Sequence, residues 1–178
     1  MATFSVNKIP LNIFLLMLLA GACKLDRKKE VDRNRFSFKA YADTRTFFQN
    51  VRMIYYDREQ IGDGMVIAFR FKARPKDTLQ FHLQPTIVLN QQTDDALLFL
   101  EATQTYDSVN LIIDGQSYLL KDRNRENILE FATIIYEAIM AEKTINLNNQ
   151  QQLLFQNEDQ KENFRKVMSD YYRLTRIF

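Results

Sequence analysis

Apolar and polar residues alternate with a period of two through much of the chain between residues 38 and 120. Successive side chains of a β-strand point to opposite faces of a sheet, so this alternation predicts strands with one buried and one wet face. The candidate strands lie at residues 50–55, 65–74, 79–84, 86–89, 96–102, 109–113 and 116–120. Gly62-Asp63-Gly64 marks one turn, and Asp114-Gly115 predicts a type I′ hairpin because it readily takes positive φ values.

After Leu120 the apolar spacing becomes that of a helix. Apolar residues recur three and four positions apart over residues 124–143, which places them on one helical face. Either Asn124 or Asp122 can cap the N-terminus of this helix. The Asn- and Gln-rich break at residues 144–155 includes a candidate strand at Ile145–Leu147.

A second helix is predicted from about Gln160 to the C-terminus, where Asp159 and Glu162 have the spacing of a capping box. Its apolar stripe consists of Phe164, Val167, Met168, Tyr171, Leu174 and Phe178. An isolated helix of this length is marginal in water, so we expect the stripe to belong to the core. Strands first and helices later predict an α+β fold: one antiparallel sheet of about six or seven strands, with two amphipathic helices packed on one face.

The N-terminal segment contains a short apolar run at residues 11–20, preceded by Lys8 as its only charge. As a helix the run would span roughly 15 Å, about half of a ~30 Å hydrocarbon core. That length is typical of the apolar region of a secretory signal peptide rather than of a transmembrane helix. Cys23, the only cysteine of the chain, follows directly after Ala20-Gly21-Ala22.

Leu19-Ala20-Gly21-Ala22-Cys23 resembles the lipobox of bacterial lipoproteins, with Ala20 where leucine is commonest. The resemblance covers only the first 23 residues and implies cleavage before Cys23, diacylglycerol on its sulfur, and anchorage by fatty acids such as palmitate. The alternatives are ordinary signal-peptide cleavage after Ala22, or a short uncleaved anchor. We therefore divide the chain into a signal peptide (1–22), the lipidated Cys23 with a charged tether (23–37), and one α+β domain (38–178).

The net charge of +2 comes from a basic excess in the leader and at residues 24–35, and the remainder is slightly acidic. A slightly acidic domain has no general attraction for nucleic acid, so we expect the envelope membrane and an envelope protein or glycan as partners. We expect the outer membrane rather than the inner one. The sequence contains no phosphate-binding glycine-rich loop, HExxH or CxxC motif, and no cofactor or metal is expected.

Three groups of residues are candidates for chemistry. His82, the only histidine, lies between Gln80 and Gln84, so the alternation predicts a surface residue whose change to alanine leaves any activity intact. The second group consists of the loop carboxylates Asp57, Glu59, Asp63, Asp94 and Asp95, which could bind calcium or act as acid and base if their loops met.

The third group, Arg70, Lys72 and Arg74, projects from one side of one candidate strand. These cations are a possible anion-binding strip, or they protect an edge strand from aggregation. Taken together, the sequence favours a non-catalytic binding or envelope-assembly lipoprotein. The first alternative is a glycan-directed enzyme that uses carboxylates, which would show these acids converging in one pocket. The second is an inhibitor or immunity-type lipoprotein, which would show a flat apolar or charged patch.

Overall fold

The computed structural model describes residues 30–75, 80–147 and 152–178, and within them the chain has the predicted α+β character. Its strands form two antiparallel four-stranded sheets, and three α-helices accompany them. Cys23 and the lipobox lie outside the described residues. None of the helices in the described ranges combines the length and the apolar character that crossing a bilayer requires.

The first sheet is a meander in which each strand pairs with the next along the chain. Its strands are β1 (Tyr56–Ile61), β2 (Val66–Phe71), β3 (Leu83–Asn90) and β4 (Ala96–Ala102), in the order β1-β2-β3-β4. The predicted turn at Gly62-Asp63-Gly64 joins β1 to β2, and both glycines have positive φ. Because β2 and β3 are inner strands, their backbone groups are paired on both sides.

The second sheet corrects the prediction of a single sheet. Its strands are β5 (Val109–Ile113), β6 (Gln116–Leu120), β7 (Ile145–Leu147) and β8 (Gln152–Leu153), in the order β6-β5-β7-β8. The hairpin at Asp114-Gly115 is confirmed, with φ values of 51° and 78°. Among the described residues no strand pairs with β4 on the side away from β3. Residues 38–40 cover the start of that edge: Ala96 N donates to Phe38 O, and Ala40 N donates to Asp94 O.

The predicted strand at residues 50–55 is wrong, because this segment is helical. Helix α1 (Ala42–Phe47) continues as a π-helical turn (Phe48–Arg52) and a 3-10 turn (Met53–Tyr55). The ring of Phe48 is buried and packs edge-on against Phe69 of β2, with 5.2 Å between ring centroids. A helical turn presents Phe48 to the core while its neighbours face solvent, which a six-residue alternation does not distinguish from a strand.

The two long helices both pack against the first sheet, but one of them also packs against the second sheet, so the predicted packing is matched only in part. Helix α2 (Arg125–Met140) begins at the N-cap Asn124, whose side chain accepts from Asn127 N at 2.8 Å. Helix α3 (Glu158–Leu174) begins earlier than predicted, since its N-cap is Asn157 rather than Asp159. Helix α3 contacts α1 and β3, whereas α2 contacts β4 and also β6 of the second sheet. One continuous apolar cluster joins both sheets, the two long helices and Phe48 of the π-helical turn.

The packed domain starts earlier than residue 38. Val31 is only 3% exposed, and its backbone N–H donates to the carboxylate of Glu137 at 2.8 Å. Arg33 forms ion pairs with Glu130 and Glu137 on α2. The charges that predicted a solvated tether are therefore used, from residue 31 onward, to hold the segment against α2.

Candidate binding surface

His82 is buried and not on a wet face, contrary to the prediction. It is 5% exposed, its backbone N–H donates to Thr103 Oγ1 at 3.0 Å, and its carbonyl accepts from Thr103 N. It precedes β3 and lines a cavity of about 20 Å³ closed by Leu154, Phe155 and Phe164. That volume suits about one water and is far below that of a ligand pocket.

Replacing His82 by alanine is therefore expected to destabilise the domain by about 1–3 kcal/mol, because it enlarges a buried cavity. Chemical denaturation of His82→Ala, with Gln80→Ala as the neighbouring control, measures the difference. An unchanged unfolding midpoint for His82→Ala would show that the ring is not packed.

The candidate carboxylates on β1 and in its turn have separate partners. Asp57 accepts from Arg74 at 2.6 Å, and Glu59 pairs with Arg70. The side chain of Asp63 accepts from the backbone N–H of Met65 at 3.1 Å, which stabilises the turn. These are the contacts of strand and turn residues and leave no shared site for a reacting group.

The two carboxylates of the β3–β4 turn are also separately engaged. Asp94 pairs with Arg45 of α1, and Asp95 pairs with Lys39 at 2.7 Å. The contact with Lys39 lowers the pKa of Asp95, the opposite of what a general acid needs. Within the described ranges, no three potential ligands gather to hold a metal ion. The structure therefore does not assemble the acid/base or calcium site that was one expectation.

A broader cleft of about 490 Å³ lies between α2 and the β5–β6 hairpin. Its cations are Arg33, which pairs with Glu137, and Lys143, which pairs with Asp114 at 2.7 Å. Polar groups fix a ligand's orientation in most small-molecule sites, and these two are already neutralised inside the chain. The cleft is therefore a weaker candidate than the exposed surfaces.

The three cations of the candidate anion-binding strip do not form a strip. Only Arg70 belongs to β2, and β2 is an inner strand, so the edge-protection explanation is wrong. Arg70 is held between Glu59 and Glu101, with Nε 2.7 Å from Glu101 Oε2, and these hydrogen bonds raise its pKa. Arg74 is paired with Asp57, whereas Lys72 donates to the carbonyl of Ile54 at 2.8 Å and has no carboxylate partner in the described ranges.

The side of the first sheet opposite the helices, which we call the open face, divides into two halves. The half nearest the 3-10 turn that precedes β1 carries the ion pairs of Asp57, Glu59, Arg70 and Glu101. By strand register, the half nearest the β1–β2 and β3–β4 turns is mostly apolar. Its apolar side chains are Ile61, Val66, Ala68, Val88, Leu97 and Phe99, and its polar ones are Thr86 and Asn90.

The apolar half is separate from the core. Ala68 and Val88 are buried, yet neither belongs to the continuous core cluster. Phe99 and Ile61, at the two margins, are 43% and 45% exposed. Leu97 to Leu100 are all large and apolar, so a strand with both faces apolar was a usable sequence signal.

A buried polar trio was not anticipated. Asp170 of α3 is 4% exposed and accepts from Arg52 Nε at 2.8 Å and from the Tyr56 hydroxyl at 2.7 Å. Burial, and then the negative charge of Asp170, raise the pKa of Tyr56, so the hydroxyl stays protonated and donates. The trio ties α3 to the helical turn before β1 and to β1 itself, which is a structural role.

Comparison with protein-family models, with curated proteins and with solved structures gives no match. The functional argument therefore depends on this chain's own residues.

Proposed function

We propose that this chain is an exported bacterial lipoprotein, anchored to the cell envelope through lipid on Cys23, and that its folded part binds a protein partner without catalysis. The outer membrane is the proposed location. The binding surface is the apolar half of the open face. The observation that carries the binding role is the exposure of apolar side chains at the margins of this half: Phe99 and Ile61 are exposed, and Val66 and Leu97 are partly exposed.

The open face has the composition of a protein interface. Such interfaces place apolar side chains at the centre and charged ones at the rim. Here the apolar half adjoins the ion pairs of Arg70 with Glu59 and Glu101. A flat apolar area on a strand surface suits a protein better than a glycan, which would need convergent polar groups.

An inhibitor or immunity-type lipoprotein remains a specific version of the same proposal, because a flat apolar patch is the feature expected of it. The glycan-directed enzyme is less well supported. It requires converging carboxylates, and Asp57, Glu59, Asp94 and Asp95 each pair with a different cation. Envelope assembly, with the partner as a structural component, fits the same surface.

Site-specific photo-crosslinking in cells that naturally express the protein tests the binding surface. A photoreactive residue at Phe99 should give one discrete protein adduct, whereas the same residue at Leu119, which is 60% exposed on β6, should not. Adding Ile61→Asp should remove the Phe99 adduct, because burying a charge in the apolar half opposes binding. The same adduct from both positions, or none from Phe99, would contradict a partner at the open face.

A further inference from the structure

The helical segment before β1 exposes an apolar stripe that the open face does not include. The stripe consists of Phe47, Val51, Ile54 and Tyr55, whose exposures range from 41% to 63%. They lie along a segment that passes from α-helix through a π-helical turn to a 3-10 turn, and Phe48, next to Phe47, is buried in the core. The segment is thus apolar toward solvent as well as toward the core.

Cations border this stripe. Arg52 lies 4.9 Å from the ring centroid of Tyr55, and the Lys72 ammonium donates to the carbonyl of Ile54. Arg52 is committed to Asp170, but Lys72 has no ion pair in the described part of the chain. Aromatic and aliphatic side chains next to an unpaired lysine are the combination found in helices that lie in the interface of an anionic bilayer.

The stripe is too small to provide a stable attachment by itself. Four large side chains that are about half exposed offer on the order of 300–400 Å² of apolar surface. A stable protein interface buries about 800 Å² on each partner. A surface this small is effective when another attachment already keeps its target close, since the tether raises the local concentration.

The proposed anchor supplies such an attachment. Glu30 lies seven positions after Cys23, so lipid on Cys23 keeps Glu30 within about 25 Å of the bilayer. The N-terminal segment then reaches the start of α1: Arg35 donates to the carbonyl of Arg176, and Arg176 pairs with Asp43 at 2.7 Å. Arg35 therefore lies beside the start of α1, whereas Glu30, the described residue nearest Cys23, lines the cleft between α2 and the β5–β6 hairpin.

We propose that the stripe formed by Phe47, Val51, Ile54 and Tyr55, with Lys72 beside it, docks on the bilayer that carries the anchor. This docking rests on the proposed lipidation of Cys23, since the stripe is a second, weaker attachment. It orients the domain with α1 against the lipid. Anionic lipids strengthen the contact through Lys72.

Tryptophan fluorescence tests the docking cleanly, because the chain contains no tryptophan. Ile54→Trp in the full-length lipidated protein, placed in vesicles of phosphatidylcholine and phosphatidylglycerol, should emit at shorter wavelength and be quenched by lipids brominated on their acyl chains. Leu119→Trp, similarly exposed on the second sheet, should show neither change. Adding Lys72→Glu should reduce the quenching of Ile54→Trp several-fold.

Equal quenching at positions 54 and 119, or none at 54, overturns the docking. So does shielding of Ile54→Trp by envelope proteins in the absence of lipid, which would make the stripe a protein interface. Fatty-acid incorporation at Cys23, read on the same samples, separates the two proposals. Incorporation without quenching at position 54 refutes the docking alone. Failure of incorporation refutes the anchor, and vesicles added in excess to Ile54→Trp then decide whether the stripe still binds lipid.

Discussion

Removing the last nine residues, Asp170 to Phe178, is expected to leave the domain unable to fold. The deleted segment contains Tyr171 and Tyr172, both fully buried, together with Leu174 and Ile177. Tyr172 packs edge-on against Tyr136 of α2 at 5.3 Å between centroids and shares a hydrogen bond with Thr133. Each buried tyrosine contributes a few kcal/mol, and a domain has only about 5–15 kcal/mol in total.

Thermal unfolding of a chain comprising residues 24–169, compared with residues 24–178, measures this effect. We expect no cooperative transition for the shorter chain. In the longer chain, Tyr172→Ala should lower the free energy of unfolding by about 3–5 kcal/mol. The control is Lys166→Ala in the same helix, whose side chain is 42% exposed, and it should lower the free energy of unfolding by less than about 1 kcal/mol. An unchanged transition in the shorter chain would instead show that the end of α3 serves a partner.

Breaking the buried trio should produce a loss of stability as large as that of Tyr172→Ala. Asp170→Ala removes the acceptor of both Arg52 and Tyr56, and leaves a buried hydroxyl and a mostly buried guanidinium without their partner. Breaking a buried ion pair in this way costs about 3–5 kcal/mol. Urea unfolding of Asp170→Ala should therefore show a much lower midpoint than the parent.

Two variants separate the charge from the hydrogen bonds of the trio. Tyr56→Phe removes one donor and should cost only about 1 kcal/mol. Asp170→Asn keeps an acceptor oxygen. Its loss of stability should therefore lie between those of Tyr56→Phe and Asp170→Ala. The exposed pair of Glu158 and Lys161 provides a surface control, since Glu158→Ala should change the midpoint little. A small effect of Asp170→Ala would mean that the trio does not hold α3 to the first sheet.

Local patterns predicted the elements whose partners are close in sequence. The backbone preference of Asp114-Gly115 predicted the β5–β6 hairpin, and Asn124, one of the two caps that the sequence offered, begins α2. The helical spacing of apolar residues such as Phe164 and Tyr171 correctly predicted that α3 packs in the core. Such signals depend on a few neighbouring residues, so sequence is sufficient to read them.

The errors arose where distant parts of the chain decide the outcome. His82 was predicted to be wet because it lies between glutamines, but Leu154, Phe155 and Phe164 close over it. Phe38 and Ala40 cover the start of the β4 edge, which no periodicity reveals. The pairing of Arg70 with Glu59 and Glu101 likewise depends on strand order, so a candidate anion site became an internal ion-pair cluster.

The central claim is that Cys23 carries the anchor, and labelling with radioactive palmitate tests it most directly. In bacterial cells, the full-length protein should incorporate label and partition into the detergent phase, and its mature chain should begin at Cys23. The Cys23→Ser variant changes no other residue, so the apolar run is intact. It should lose both the label and the partitioning into detergent. Equal labelling of Cys23→Ser and the parent would contradict the account.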